Sequence, residues 1–471
     1  MKLFQPTAQA FQDLAPSIGA TANNQIPLPN EIMAAIFAHC IPNDPMVNLV
    51  DPKQYPLLLL GICKAWQHLA LSTPALWSTL YFDLDYIASK SVDGRLGNIP
   101  LVVDAWLTRA RRRLLTVGMA GLWWPWTYSE SATGESHMMR RRLLEIIQKH
   151  SPNIRHLVWR LAHTPEAVLF KQYPMDWGNL VELELVSPGP YDELELRGYD
   201  DPIEVFANAP LLRKISFTKV HPEVFDLPWA QLTHLSHECI YAHQCLPVLS
   251  ALPSLVHCQL QSGDRELEQD LLLSINTYSS IKQLSLIEHE WIAVHSPTLS
   301  KNILGFMTLP ALDSLDLTGA DRIDADLLVA FLERSSAPLR RLAFHPCKSQ
   351  HLASIKPFHL LPHLEELEIH RPSRHLTAGI CQELASNKFL PRLLSLILHS
   401  PSSVREMDFI ADQVGHALLA REKLVRPPLK SLRLVVPMDY GDTSMTKMSS
   451  ALVNLVGLQE ESGTKVYVKY M

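Results

Sequence analysis

Twenty-one histidines in 471 residues make the imidazole the side chain with most to offer chemically, and their spacing decides what they could do. In "HEWIAVH" the two histidines, His289 and His295, stand six apart, whereas a zinc-binding helix needs them four apart on one face. "HLSHECIYAHQC" is denser, placing His234, His237, Cys239, His243 and Cys245 within twelve residues. The segment crosses a strand and its following turn and fits no finger spacing, so buried cysteine and surface histidine are expected there. No GxSxG elbow and no glycine-rich phosphate loop occurs, and no nucleophile stands at a spacing that would pair it with a base. The sequence therefore gives no catalytic residue, no metal ligand set and no cofactor site.

A third group depends on a repeat. The pattern L-x-x-L-x-L recurs as "NLVELELVSP", "LLRKISFTKV", "QLTHLSHECI", "SLVHCQLQSG", "SIKQLSLIEH", "ALDSLDLTGA", "PLRRLAFHPC", "HLEELEIHRP", "RLLSLILHSP" and "PLKSLRLVVP", with "NIRHLVWRLA" as a weaker first member. Steps of roughly 20 to 36 residues leave room for one strand and a return in each unit. Side chains alternate along a strand, so the leucines turn to the core and the intervening residues share the other face. Those outward positions include His257 and Gln259, then Asp316, then Arg341 and His345, then Glu366, Glu368 and His370, and then His399. Equivalent positions on neighbouring strands lie ~4.8 Å apart, so in-register stacking predicts that Arg341 faces Glu366. The same register puts His345, His370 and His399 in one row. These nine residues are the expected contacts for a protein target, since an extended repeat face is what such arrays offer to a partner.

The elements between strands read as helical returns in "SHMMRRRLLEIIQKHS", "DADLLVAFLERSSAP" and "FIADQVGHALLARE", each with apolar residues at three- and four-residue spacing. At the end, "TKMSSALVNLVGLQEE" and "GTKVYVKYM" supply a closing helix and edge strand, giving an array from about Leu80 to Val466. The cluster Arg109, Arg111, Arg112 and Arg113 reads as a solvated turn before the strand "LLTVGMA".

Ahead of the repeats stand three short apolar helices. Pro29 suits a first helical turn; Ile32, Ile36 and Cys40 form one stripe, and Met33, Phe37 and Ile41 another. In "YPLLLLGICKAWQHLALSTP" a helix from Pro56 puts Leu58, Leu59, Ile62, Cys63, Trp66, Leu69 and Ala70 on one face. Leu57 and Leu60 fall on the other side, among Lys64, Gln67 and His68, where apolar residues call for a covering partner. Thr73 and Pro74 then open a short third helix carrying Leu76 and Trp77.

The order Leu28-Pro29-x-Glu31-Ile32, Ile36-Phe37, Cys63-x-x-Trp66-x-x-Leu69-Ala70 and Thr73-Pro74-x-Leu76-Trp77 resembles an F-box, of the type found ahead of repeat domains in mushroom-forming fungi. The repeats resemble the degenerate leucine-rich repeats that follow many F-boxes, without the Asn or Cys that regular repeats carry after the last leucine. A further departure is the insertion "IPNDPMVNLVDPKQYP" between the first two helices. The resemblance implies an α/β fold class: a tail over 1–25, a small three-helix F-box over 26–80, and a leucine-rich-repeat-like solenoid over 81–471 with one curved parallel sheet. It implies a non-enzymatic substrate receptor of an SCF-type cullin ubiquitin ligase, docked on a Skp adaptor through Leu28, Pro29, Ile32, Phe37, Leu57 and Leu60. The alternative is a repeat-based binding scaffold that acts without a cullin.

Composition bounds the remaining classes. A formal charge of −6 and a pI near 6.4 provide no global basic field for nucleic acid or an anionic membrane. The seven cysteines, without CxxC pairs, fit a reducing compartment. The N-terminus lacks an uninterrupted apolar run and no segment approaches the ~20 apolar residues of a membrane span, so a cytoplasmic and/or nuclear location is expected.

Overall fold

The computed structural model describes residues 28–41, 51, 53–83, 98–120, 133–160, 173–187, 202–240, 242–262, 274–288, 299–319, 324–345, 354–386, 388–399, 404–422, 429–436, 455 and 464–470. The tail over 1–25, most of the inserted segment, the "HEWIAVH" stretch and nearly all of the closing helix lie outside them. By internal contacts the chain divides into two compact units, Met1–Leu232 and Thr233–Met471.

The first unit opens with α1 (Asn30–His39), α2 (Leu58–Ile62), α3 (Lys64–Ser72) and a 3₁₀ turn at Pro74–Trp77. It continues through β1 (Thr79–Asp83), α4 (Ile99–Arg109), β2 (Leu115–Ala120), α5 (Thr133–His150), β3 (Ile154–Arg160), β4 (Glu182–Val186) and β5 (Lys214–Thr218). These strands pair in sequence order, all parallel. Trp77 locks the helices to the sheet: its indole N–H donates to the Ala70 carbonyl at 2.9 Å, and its ring meets that of Trp106 edge-on at 4.9 Å. Trp106 in turn donates to the carbonyl of Thr79 at the start of β1.

The second unit holds β6 (His234–Ile240), α6 (Ala242–Ser250), β7 (His257–Ser262), β8 (Asn276–Thr277), β9 (Gln283–Ile287), α7 (Leu299–Phe306) and β10 (Met307–Thr308). After these come β11 (Ser314–Thr318), α8 (Ala325–Ser335), β12 (Arg341–His345), α9 (Arg374–Leu384), β14 (Ser395–His399), α10 (Val404–Glu422), β15 (Ser431–Val436) and β16 (Lys465–Tyr470), with β13 (Glu366–His370) preceding α9. Nine of these strands form a parallel sheet in the order β6-β7-β9-β11-β12-β13-β14-β15-β16, while β8 and β10 make a separate two-residue ladder. Every repeat segment read from the sequence is a strand, and all pair parallel, as one strand per repeat requires.

The alternation is the expected one. Leu315, Leu317, Leu342, Phe344, Leu367, Ile369, Leu396 and Leu398 are buried, whereas the residues between them are mostly half-buried or exposed. Burying each of these side chains contributes ~1.5–3 kcal/mol, and the returns α8 and α9 bury apolar stripes of their own. Two exceptions on the outer face, Ala343 and Ile397, are also buried.

A recurrent bond ends the strands. The first N–H beyond one strand donates to the last carbonyl of the next: Ser187 to Thr218, Glu288 to Thr318, Gly319 to His345 and Arg371 to His399, at 2.6 to 2.8 Å. Gly319 has φ +78°, and a Cβ there would overlap the Glu288 carbonyl, so only glycine fits. Among the described residues no helix is long and apolar enough to cross a membrane.

Candidate functional site

Register brings most of the outward polar residues together. Arg341 pairs with Glu366 across β12 and β13, and His370 with His399 across β13 and β14. The Arg341 Nε lies 3.0 Å from Glu366 Oε1, while its Nη2 donates to Glu368 Oε2 at 3.3 Å. Glu368 is the hub, since its other oxygen, Oε1, lies 3.1 Å from Nε2 of both His370 and His399. The rings form the expected row: His345 and His370 are 3.7 Å apart between centroids and tilted by 41°, and His370 and His399 are 3.4 Å apart and stacked at 17°. Asp316 closes the edge, with Oδ1 3.8 Å from His345 Nε2 and accepting from the Thr318 hydroxyl at 3.0 Å.

Neighbouring histidines and partial burial set the electrostatics. Hydrogen bonds from His370 and His399 hold the Glu368 carboxyl well below the usual carboxylate range, against the opposing effect of its partial burial. His345 is pushed the other way from protonation, first by burial and then by the charge of His370, so it is held neutral to lower pH than a free imidazole. The group is a satisfied polar network on a half-buried face, with the Glu368 side chain only 13% exposed.

His257 and Gln259 do not join it. They lie on β7, with β9 and β11 between them and β12, and His257 instead stacks on His234 at 4.1 Å and bonds to Gln283 at 2.7 Å. They belong to the same face but not to the cluster. The same ladder row continues past Glu368 to Arg433 and Tyr467, both exposed, which the repeat pattern could have supplied had it been extended to the last two strands. In "HLSHECIYAHQC", His234 faces outward and His237 is buried on the opposite side of β6, which separates the pair.

The helical module corrects the expected adaptor patch. Leu28, Pro29 and Ile32 are exposed, but Phe37, Leu57 and Leu60 are buried within the chain. Phe37 packs on Trp66 at 4.9 Å and on Tyr55 at 6.5 Å. The continuous helix read from Pro56 onward does not exist: Cys63 is extended, at φ −158° and ψ 163°, and its Sγ accepts from the N–H of Trp66 to cap α3. That break resets the helical phase. Leu59 and Leu60 turn inward while Leu58 and Ile62 turn out, so the exposed large apolar residues are Leu28 just ahead of α1, Ile32 and Ile36 on α1, and Leu58 and Ile62 on α2. The signal was the "GICKAW" stretch, where a small polarizable residue precedes a new turn and can cap it.

Of the basic cluster, Arg111, Arg112 and Arg113 are exposed as expected, whereas Arg109 is not: it lies over the Trp77 ring at 5.5 Å and donates to the Ala105 carbonyl. Burial pushes the thiols of Cys258 and Cys381 up to about 12, which keeps both protonated and poor as nucleophiles. No protein-family profile matches the chain, and no curated protein matches it.

Proposed function

We propose that this chain is a non-catalytic substrate receptor of an SCF-type cullin ubiquitin ligase, in which the helical module docks a Skp adaptor and the polar face of the repeat strands holds a target protein. The observation that supports this reading is the pair of apolar stripes left exposed on α1 and α2. Leu28, Ile32 and Ile36 follow one another at four-residue spacing, as do Leu58 and Ile62. Such residues are stable in water singly, but two stripes on one small module suit burial under a partner. The adaptor therefore meets these five residues, in place of Phe37, Leu57 and Leu60. The receptor acts by proximity: it raises the concentration of the target near a conjugating enzyme held elsewhere in the complex, and acyl transfer needs no residue of this chain.

The test is co-purification of the full-length chain with adaptor and cullin. Ile32→Glu with Leu58→Glu replaces apolar contacts by desolvated charge and is expected to weaken adaptor binding more than tenfold. Its thermal midpoint should stay near that of the wild type, since exposed positions usually cost under ~0.5 kcal/mol each. Leu60→Glu, by contrast, buries a charge and should unfold the module. Retention of adaptor by the double variant overturns the docking face, and capture of adaptor without cullin turns the reading into the scaffold.

A further inference from the structure

The polar cluster of the second unit has a chemistry that target binding does not require. Ligand atoms of His345, Glu368 and His370 all lie within 4.8 Å of one another. A four-coordinate Zn²⁺ with bonds of about 2.0–2.1 Å separates its ligand atoms by about 3.3 Å. The 3.1 Å between Glu368 Oε1 and His370 Nε2 already matches one such edge, and the His345 ligand atom lies within 4.8 Å of both. Position distinguishes the histidines. His345 and His370 are adjacent in the row, 3.7 Å apart between centroids and tilted by 41°. His399 does not belong to that mutually close set, although its Nε2 also lies 3.1 Å from Glu368 Oε1, so it is the outer partner that orients the carboxylate. On the other side of the carboxylate Arg341 holds Oε2 at 3.3 Å, so Oε1, shared by His370 and His399, is the oxygen turned toward the imidazoles.

We propose that His345, His370 and Glu368 bind one divalent transition-metal ion of the zinc class on the outer face of β12 and β13. Two imidazoles and one carboxylate suit Zn²⁺, Co²⁺ or Ni²⁺, whereas Mg²⁺ and Ca²⁺ prefer oxygen ligands throughout. His156, Glu182 and Glu184 make the other such grouping among the described residues, but it offers a single imidazole and has Lys214 3.9 Å from Glu182. The metal is held whether or not a target or an adaptor docks, so its test is separate from that of the receptor reading.

The full-length chain is stripped with EDTA and titrated with Zn²⁺ by calorimetry and with Co²⁺ by visible absorption. One equivalent is expected to bind more tightly than any other, to give ligand-field bands with Co²⁺, and to be left unaffected by Mg²⁺ or Ca²⁺. His345→Ala with His370→Ala should lose that equivalent, its affinity falling at least 100-fold. Glu368→Gln should weaken it 10- to 100-fold, and His156→Ala should leave it unchanged. A reading that needs no substitution comes from diethyl pyrocarbonate footprinting of the wild type, where Zn²⁺ should protect His345 and His370 from carbethoxylation. Equal affinity and stoichiometry in the double variant, or a footprint at both histidines that Zn²⁺ does not change, overturns the site.

Discussion

Glu368 carries more of the outer face than its size suggests, because it touches Arg341, His370 and His399 at once. A carboxylate held below its ordinary range in the folded chain adds stability that is fully present above the unfolded value, near 4.3, and is lost as pH falls through the acid range. Glu368→Gln removes that contribution. Discounted for solvent screening it amounts to about 1 kcal/mol at pH 7, or a fall of about 2 °C in the midpoint of the second unit. Scanning calorimetry from pH 7 to pH 3 should show the wild type and variant converging below pH ~4. A gap that stays constant or widens with acid would mean that the ionised form is not the stabilised one.

At the scale of single elements, close approach between neighbours decides what each strand tolerates. Tyr81 on β1 pairs in register with Gly118 on β2, and its ring lies over the glycine so that a Cβ there would overlap Cδ1 and Cε1. The Tyr81 hydroxyl is pushed up by burial first, and then by the charges of Glu184 and Glu182. Gly118→Ala therefore has to move a buried aromatic ring, at a cost of about 1–3 kcal/mol. In the double variant with Tyr81→Ala the ring is gone and the second methyl has room, so the two changes should be less than additive by about 1 kcal/mol in denaturant melts. Strict additivity would place the ring elsewhere.

Across the whole molecule, parallel strands that contact only their neighbours spread a local defect sideways before they lose the fold. Leu367 is fully buried at the centre of β13, between Leu342 of β12 and Leu396 of β14. Leu367→Ala leaves a cavity and should cost about 2–5 kcal/mol. Hydrogen exchange is expected to lose protection first in β12, β13 and β14, with β1 to β3 of the first unit unchanged. A uniform loss over both units would show one cooperative block instead.

The strands were legible because a two-residue alternation with leucine on one side has a single way to be buried, and a slip of one residue would turn every leucine to water. Arg341 facing Glu366 and the row of His345, His370 and His399 followed from that register alone. The returns α4, α6, α7 and α9 were not read; in α6, Pro247 stands inside the helix, where a proline argues against one. Tertiary structure decided the rest. Whether Leu57 and Leu60 face in or out depends on where one helix stops and the next begins, and periodicity counted across Cys63 carried the wrong phase into both. The hub role of Glu368 likewise depends on side-chain rotamers on three strands: sequence places a residue on a face to within one strand spacing of ~4.8 Å, while hydrogen bonds are made or lost within an ångström.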